Sequence, residues 1–317
     1  MGELLSKESK IQNVLECRGL RKAFGRVQAL DGLDLAVAPG RIHGFLGPNG
    51  AGKTTAIRAV LGQLRLDGGE IRVFGLDPLR DIADVHRRLA YVPGDTALWP
   101  NLTGGECIDL LVRLRGSQDA VRRDELVERF DLDPTRRFRT YSKGNRQKVA
   151  LVAALACDVE LLVLDEPTSG LDPLMEAVFQ AVVTERSASG TSVLLSSHIL
   201  AEVETLCDRL TVVRAGRATF TGSLSQLRSS AATAVDVVTP ATVPGLEHVT
   251  GVSRLRSQAE PRGHHTTLLA QAAALPTVLT TVGAARPLQV TVHPPSLEQL
   301  FLDQYNEQET DDGGEPR

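Results

Sequence analysis

Residues 47–55, Gly47-Pro48-Asn49-Gly50-Ala51-Gly52-Lys53-Thr54-Thr55, fit the spacing G-x-x-x-x-G-K-[ST]. Each residue type in that run suits a phosphate. Glycines let the backbone curl until consecutive N–H groups point inward at phosphate oxygens. Lys53 offers a point charge to the β and γ phosphates, and Thr54 a hydroxyl to Mg²⁺. A helix beginning here would turn its positive end toward the same anions. Further along, Leu161-Leu162-Val163-Leu164 reads as a buried strand that ends in two carboxylates, Asp165 and Glu166. Asp165 is expected to approach Mg²⁺ through water, leaving Glu166 to polarise an attacking water. The two stretches together predict a site for a nucleotide and Mg²⁺.

Such residues work only when strands and helices hold them. The first two thirds of the chain alternates buried-strand with helical patterns, as α/β domains do. Arg41–Leu46 predicts the strand that enters the phosphate loop, and Lys53–Leu61 the helix that leaves it. Pro173–Ser187 predicts another helix, and Ser192–Ser196 and Leu210–Arg214 two more strands. Near Ser223 the composition shifts to Ala, Thr and Val with Pro240, Pro244, Pro261 and Gly263 as punctuation. A small α+β domain is expected over residues 229–305, with strands at Ala234–Val238, Val252–Ser257, Thr266–Ala270 and Leu288–Val292. Its helices are expected at Leu275–Ala284 and, as a closing amphipathic helix, at Leu297–Tyr305. His264 and His265 read as part of a solvated hairpin turn rather than a metal site, and residues 306–317 as a disordered acidic tail.

Composition narrows the function further. A net charge of −4 argues against a surface that tracks nucleic acid, so no nucleic-acid partner is expected. The longest apolar run, Val149–Cys157, is far shorter than the roughly 20 residues of a bilayer helix, so a membrane role must come through a partner. Cys17, Cys107, Cys157 and Cys207 lie far apart without pairing motifs, and no secretory segment opens the chain. These features point to a reduced, cytosolic protein. Met1–Ser6 formally matches a myristoylation pattern, a coincidence common in so short a motif.

Three more stretches complete a series. Tyr141-Ser142-Lys143-Gly144-Asn145-Arg146-Gln147 opens a helix that runs through Ala156. With the phosphate loop and Asp165-Glu166, this resembles the signature loop of ABC ATPases, usually written L-S-G-G-Q. Pro167-Thr168-Ser169-Gly170-Leu171-Asp172 is similar to that family's D-loop, and Ser196-Ser197-His198 to its switch-histidine loop. Phe24 stands where the family keeps an aromatic that stacks on adenine. The resemblance covers residues 11–225. It implies an ABC-type P-loop NTPase with a RecA-like core, an antiparallel β subdomain and a helical subdomain. It also implies that Ser142 and Gly144 of one chain close over the γ-phosphate held by another, so that two ATPs are clamped between two subunits. Asp172, at the end of the D-loop, would belong to the nucleotide-binding set, and His198 would sense the γ-phosphate. The expected partner is an integral membrane permease, reached from the cytoplasmic face. The C-terminal region resembles, through Leu297-Glu298-Gln299-Leu300-Phe301-Leu302, the extra domain of drug- and antibiotic-exporting ATPases.

Departures from the family are specific. Lys143 replaces the usual first glycine of the signature and Asn145 its glutamine. Gly94, in Tyr91-Val92-Pro93-Gly94, stands where a glutamine normally reaches Mg²⁺ and the attacking water. Water is the expected substitute, with neighbouring Asp95 the alternative. Segment 97–103 is expected to face the permease, with Trp99 either its anchor or local core. The rival readings are a soluble non-transport ABC ATPase and a regulatory ATP-binding module. A chromosome-type ATPase would carry a long heptad insertion, a translation factor two cassettes and a GTPase an N-K-x-D motif. The sequence has none of these, and a regulatory module is expected to lack Glu166 or His198.

Overall fold

A computed structural model of the 317-residue chain describes residues 13–116, 119–229 and 232–293. The myristoylation-like start, the helix expected at Leu297–Tyr305 and the tail over 306–317 lie outside the described residues. The chain forms two compact units that divide between Gly222 and Ser223.

The first unit opens with β1 (Leu15–Phe24) and β2 (Val27–Val37), followed by β3 (Ile42–Leu46), α1 (Lys53–Val60) and β4 (Gly68–Val73). Next come α2 (Ile82–Arg88), β5 (Leu89–Val92), α3 (Gly104–Leu114), α4 (Ala120–Arg129) and α5 (Lys143–Leu155). The unit ends with β6 (Leu161–Asp165), α6 (Pro173–Ala188), β7 (Ser192–Ser197), α7 (Leu200–Leu206), β8 (Arg209–Arg214) and β9 (Arg217–Ser223). Two sheets result. An antiparallel sheet is ordered β2-β1-β4, and a six-stranded sheet β5-β6-β7-β3-β8-β9, parallel from β5 to β8. The buried strands β3, β6 and β7 read as near-continuous apolar runs because helices cover parallel sheets on both faces. Helix α1 joins the sheets: Ala56, Ile57 and Val60 share one core with Leu20, Leu33 and Ile71 and with Phe45, Val163 and Leu194. Helix α3 starts at a reciprocal cap, in which Thr103 Oγ1 accepts from the Glu106 N–H and Glu106 accepts from the Thr103 N–H. It packs with α4 and α5 as a helical layer around Ile108, Val112, Leu126 and Phe130.

The second unit begins with α8 (Leu224–Ser229) and continues through β10 (Thr233–Thr239), β11 (Val252–Glu260), β12 (Gly263–Ala270), α9 (Leu275–Ala284) and β13 (Gln289–His293). Its antiparallel sheet is ordered β11-β12-β10-β13, and α9 buries Val278 and Val282 against Val235, Val237 and Leu268. The placement of His264 and His265 in a turn is corrected. The turn is Pro261-Arg262, and both histidines pair within β12. Gly263, at φ 137°, starts the strand at once where a Cβ would meet the Thr239 carbonyl oxygen at 2.2 Å. His265 lies between Asp236 (Nε2 to Oδ1, 2.9 Å) and Glu260 (Nδ1 to Oε1, 3.2 Å).

A candidate nucleotide site at the ends of three parallel strands

Strands β6, β7 and β3 are neighbours, and their C-terminal ends carry the loops that bear the chemistry. Asp165 pairs in register with Ser196, and Leu46 with Ser197. Open α/β sheets bind ligands at this edge because the strand ends deliver several loops to one place.

The loop after β3 is shaped by its glycines. A Cβ on Gly47 would meet the Val213 carbonyl oxygen at 2.3 Å, and Gly52, at φ 105°, has the Ala29 carbonyl at 2.4 Å from the same position. Gly52 caps α1, whose first residue, Lys53, is 5% exposed. The Lys53 ammonium donates to the carbonyls of Gly47 (2.6 Å) and Pro48 (3.2 Å) and lies 3.7 Å from Glu166 Oε1. Burial pushes its pKa down, while Glu166 and Asp165 oppose that shift.

Asp165, at the end of β6, is almost fully buried. Its Oδ2 accepts from Thr54 Oγ1 at 3.1 Å and its Oδ1 from Ser196 Oγ at 2.5 Å. Thr54 and Asp165 therefore meet across 111 residues of sequence. Glu166 turns out of the strand with φ 47°, a left-handed conformation uncommon for a residue with a side chain. Its N–H donates to the Ser196 carbonyl and its own carbonyl accepts from Ser169 N–H, so neighbouring loops hold the strained backbone. Glu166 Oε1 faces His198 Nδ1 at 3.4 Å, with the histidine side chain half exposed.

The other predicted residues form a second cluster. Ser142 caps α5 by accepting from the Asn145 N–H at 3.3 Å. Gly144 approaches the D-loop so closely that a Cβ would meet the Gly170 carbonyl oxygen at 2.3 Å. Lys143 sends its ammonium to Ser169 Oγ at 2.8 Å, which resolves where the residue replacing the family's glycine points. The Asp172 carboxylate caps α6 through the Met175 N–H. No hydrogen bond or ion pair joins Ser142, Lys143 or Gly144 to the 47–55 loop among the described residues. Phe24, at the end of β1, is 51% exposed, with Lys22 Nζ 5.6 Å from its ring centre. Trp99 is 43% exposed, which decides against local core.

Gly94 lies against the carboxylate strand. Its φ is outside the left-handed region, and a Cβ would stand 3.1 Å from the Asp165 carbonyl oxygen and 3.5 Å from Glu166 Cβ. Asp95 is exposed and makes no hydrogen bond or ion pair among the described residues. Sequence reasoning missed Gln147, which is buried on α5 and pins this loop. It accepts from Thr96 Oγ1 at 2.7 Å and donates to the Pro93 carbonyl at 3.2 Å. Ser196 was read as part of the histidine loop but not as a partner of Asp165. Gln147 lies within the polar run Lys143–Lys148 that opens α5, so the sequence pattern carried no signal for its burial.

A glycine-lined loop opening a helix, with its lysine and a strand-end carboxylate pair, defines a P-loop nucleoside triphosphatase. The family model for ABC transporters matches residues 30–169. A daunorubicin resistance ATP-binding protein of Streptomyces coeruleorubidus (DrrA3) is 44% identical over 216 residues, which cover 67% of this chain and 68% of that protein. A second from the same organism (DrrA2) is 35% identical over 304 residues, 91% of this chain and 94% of its relative. A solved ATP-binding subunit of an ABC transporter superposes with a TM-score of 0.65 at 31% identity, covering 68% of this chain and 92% of that one. The chain belongs to the ATP-binding proteins of ABC transporters, a family of ATPases that power transport.

Proposed function

We propose that the chain hydrolyses ATP as a pair of identical subunits and drives export of a small drug-like molecule through a separate membrane-spanning permease, docking at its cytoplasmic face. The observation that carries this reading is the convergence at one sheet edge of buried Lys53, the Thr54–Asp165 pair, and Glu166 flanked by Lys53 and His198. In this reading the loop N–H groups and Lys53 bind the β and γ phosphates, and Phe24 stacks on adenine. Thr54, and Asp165 through water, would hold Mg²⁺, since hydroxyl and carboxylate oxygens suit that hard cation. The ion, when bound, supplies positive charge to the β and γ phosphates. Glu166 takes the proton of the attacking water, and His198 steadies the γ-phosphate from the facing loop. Ser142 and Gly144, which have no bond to their own chain's phosphate loop among the described residues, serve the ATP of the second copy. The exposed segment around Trp99 is the surface offered to the permease.

Export of a drug is supported by the relatives named for daunorubicin resistance. No helix among the described residues is long and apolar enough to cross a membrane. The test is to co-express the chain with candidate membrane proteins, purify the complex into vesicles and measure ATP turnover against a panel of drugs. Stimulation by a transported compound, abolished in Glu166→Gln, is the expected result. A chain that binds none of them and hydrolyses ATP only alone in solution would refute the transport role.

A further inference from the structure

Glu202, on α7, is a buried carboxylate to which neither the fold nor the proposed chemistry assigns a task. It is 3% exposed, and no cation pairs with it among the described residues. Each of its two oxygens takes a hydroxyl from a different loop. Oε1 accepts from Thr168 Oγ1, in the loop between β6 and α6. Oε2 accepts from Ser197 Oγ at 2.6 Å, at the end of β7. Thr168 and Ser197 are themselves buried. Packing does not explain the residue, because Val203 and Leu206 on the same helix already supply apolar contact. An all-polar, fully enclosed trio is worth keeping only where a fixed geometry is needed, since each group left unpartnered there is expensive.

The two loops joined this way are the ones that bear Glu166 and His198. Thr168 follows Glu166 by two residues, in a loop wound back on it by the Ser169 N–H to Glu166 carbonyl bond. Ser197 immediately precedes His198, and its hydroxyl oxygen also accepts the Ile199 N–H at 2.9 Å, so the histidine is held on both sides. We infer that Glu202 is a positioning residue, a brace between the D-loop and the histidine loop that maintains the 3.4 Å approach of His198 to Glu166. The inference rests on the roles proposed above for Glu166 and His198.

Its signature is coupling between two hydroxyls that, among the described residues, are joined through this carboxylate. The full-length chain is assayed for kcat and KM for ATP as Thr168→Val, Ser197→Ala, the double variant and Glu202→Gln. Each single hydroxyl variant should lower kcat roughly 3- to 10-fold, the equivalent of one hydrogen bond. KM should hold within about twofold, because the phosphate cradle is untouched. Breaking either arm breaks the brace, so the double variant should be no slower than the slower single one. Glu202→Gln keeps one acceptor oxygen and should resemble a single variant. Losses that multiply in the double variant, or that appear in KM, would overturn the brace. Glu166→Gln run alongside separates the two readings: normal turnover there overturns the proposed site and this inference with it. An inactive Glu166→Gln with multiplying hydroxyl losses overturns the brace alone.

Discussion

Glu166 offers a perturbation in which chemistry and backbone strain can be measured separately. Its carboxylate is the one placed between Lys53 and His198, and its φ of 47° is held by bonds to Ser196 and Ser169. Both Glu166→Gln and Glu166→Gly remove the carboxylate, and loss of a general base costs about 10²–10⁴ in rate. Only the glycine variant also removes the Cβ. A left-handed residue with a side chain is strained by about 1–2 kcal/mol, and glycine's extra freedom in the unfolded chain takes back about 0.5–1 kcal/mol. The glycine variant should then exceed the glutamine variant by about 0.5–1 kcal/mol, or roughly 1–4 °C in Tm for a unit of this size. The lost contact with Lys53 cancels in that comparison. Phosphate-release kinetics and differential scanning calorimetry on the two proteins give both quantities. In the proposed dimer, Glu166→Gln should also trap ATP between the subunits, visible as a dimer on size exclusion. Near-normal turnover in either variant would remove Glu166 from the chemistry. A glycine variant less stable than the glutamine one would show that the backbone at 166 is not strained.

Lys53→Ala should weaken binding of a fluorescent ATP analogue at least tenfold, about the loss of one charge-assisted hydrogen bond, and retained tight binding would contradict the cradle. Gly94→Gln should raise basal ATPase activity, since a held amide stabilises a transition state better than a mobile water by about 1–3 kcal/mol. The Asp165 carbonyl, 3.1 Å from the new Cβ, must yield by a few tenths of an ångström, so a lowered Tm would show that it does not, whereas a fall in activity with an unchanged Tm would refute the gain expected from the amide. Asp95→Asn should change little, and a sharp loss with weakened Mg²⁺ affinity would make Asp95 the substitute ligand. In the second unit, Asp236 and then Glu260 hold the His265 pKa above its ordinary 6.5. A raised pKa stabilises the folded state below the unfolded value, and that stabilisation disappears as pH rises through the folded value. Thermal unfolding of the full chain should show it declining as pH rises above about 6.5, and His265→Gln should flatten that slope.

What a short window of sequence determines, it determined here. The phosphate loop is legible because its nine residues act through local backbone geometry, whatever surrounds them. Asp165 and Glu166 are legible because an aliphatic strand announces where it ends, and α9 runs over the Leu275–Ala284 span read from its pattern. The tertiary structure alone decided the partners. Ser196 reaches Asp165, Gln147 reaches Pro93 and Thr96, Lys143 reaches Ser169, and Glu202 reaches Thr168, across separations of 26 to 54 residues. No period or spacing encodes such pairs, since they depend on β6, β7 and β3 lying side by side with their loops at one edge. The exposure of Trp99 and the left-handed turn at Glu166 belong to the same class. A tryptophan suits core or surface equally by composition, and nothing in a glutamate forecasts a positive φ. Both follow from where neighbouring strands and loops leave room for the chain to run.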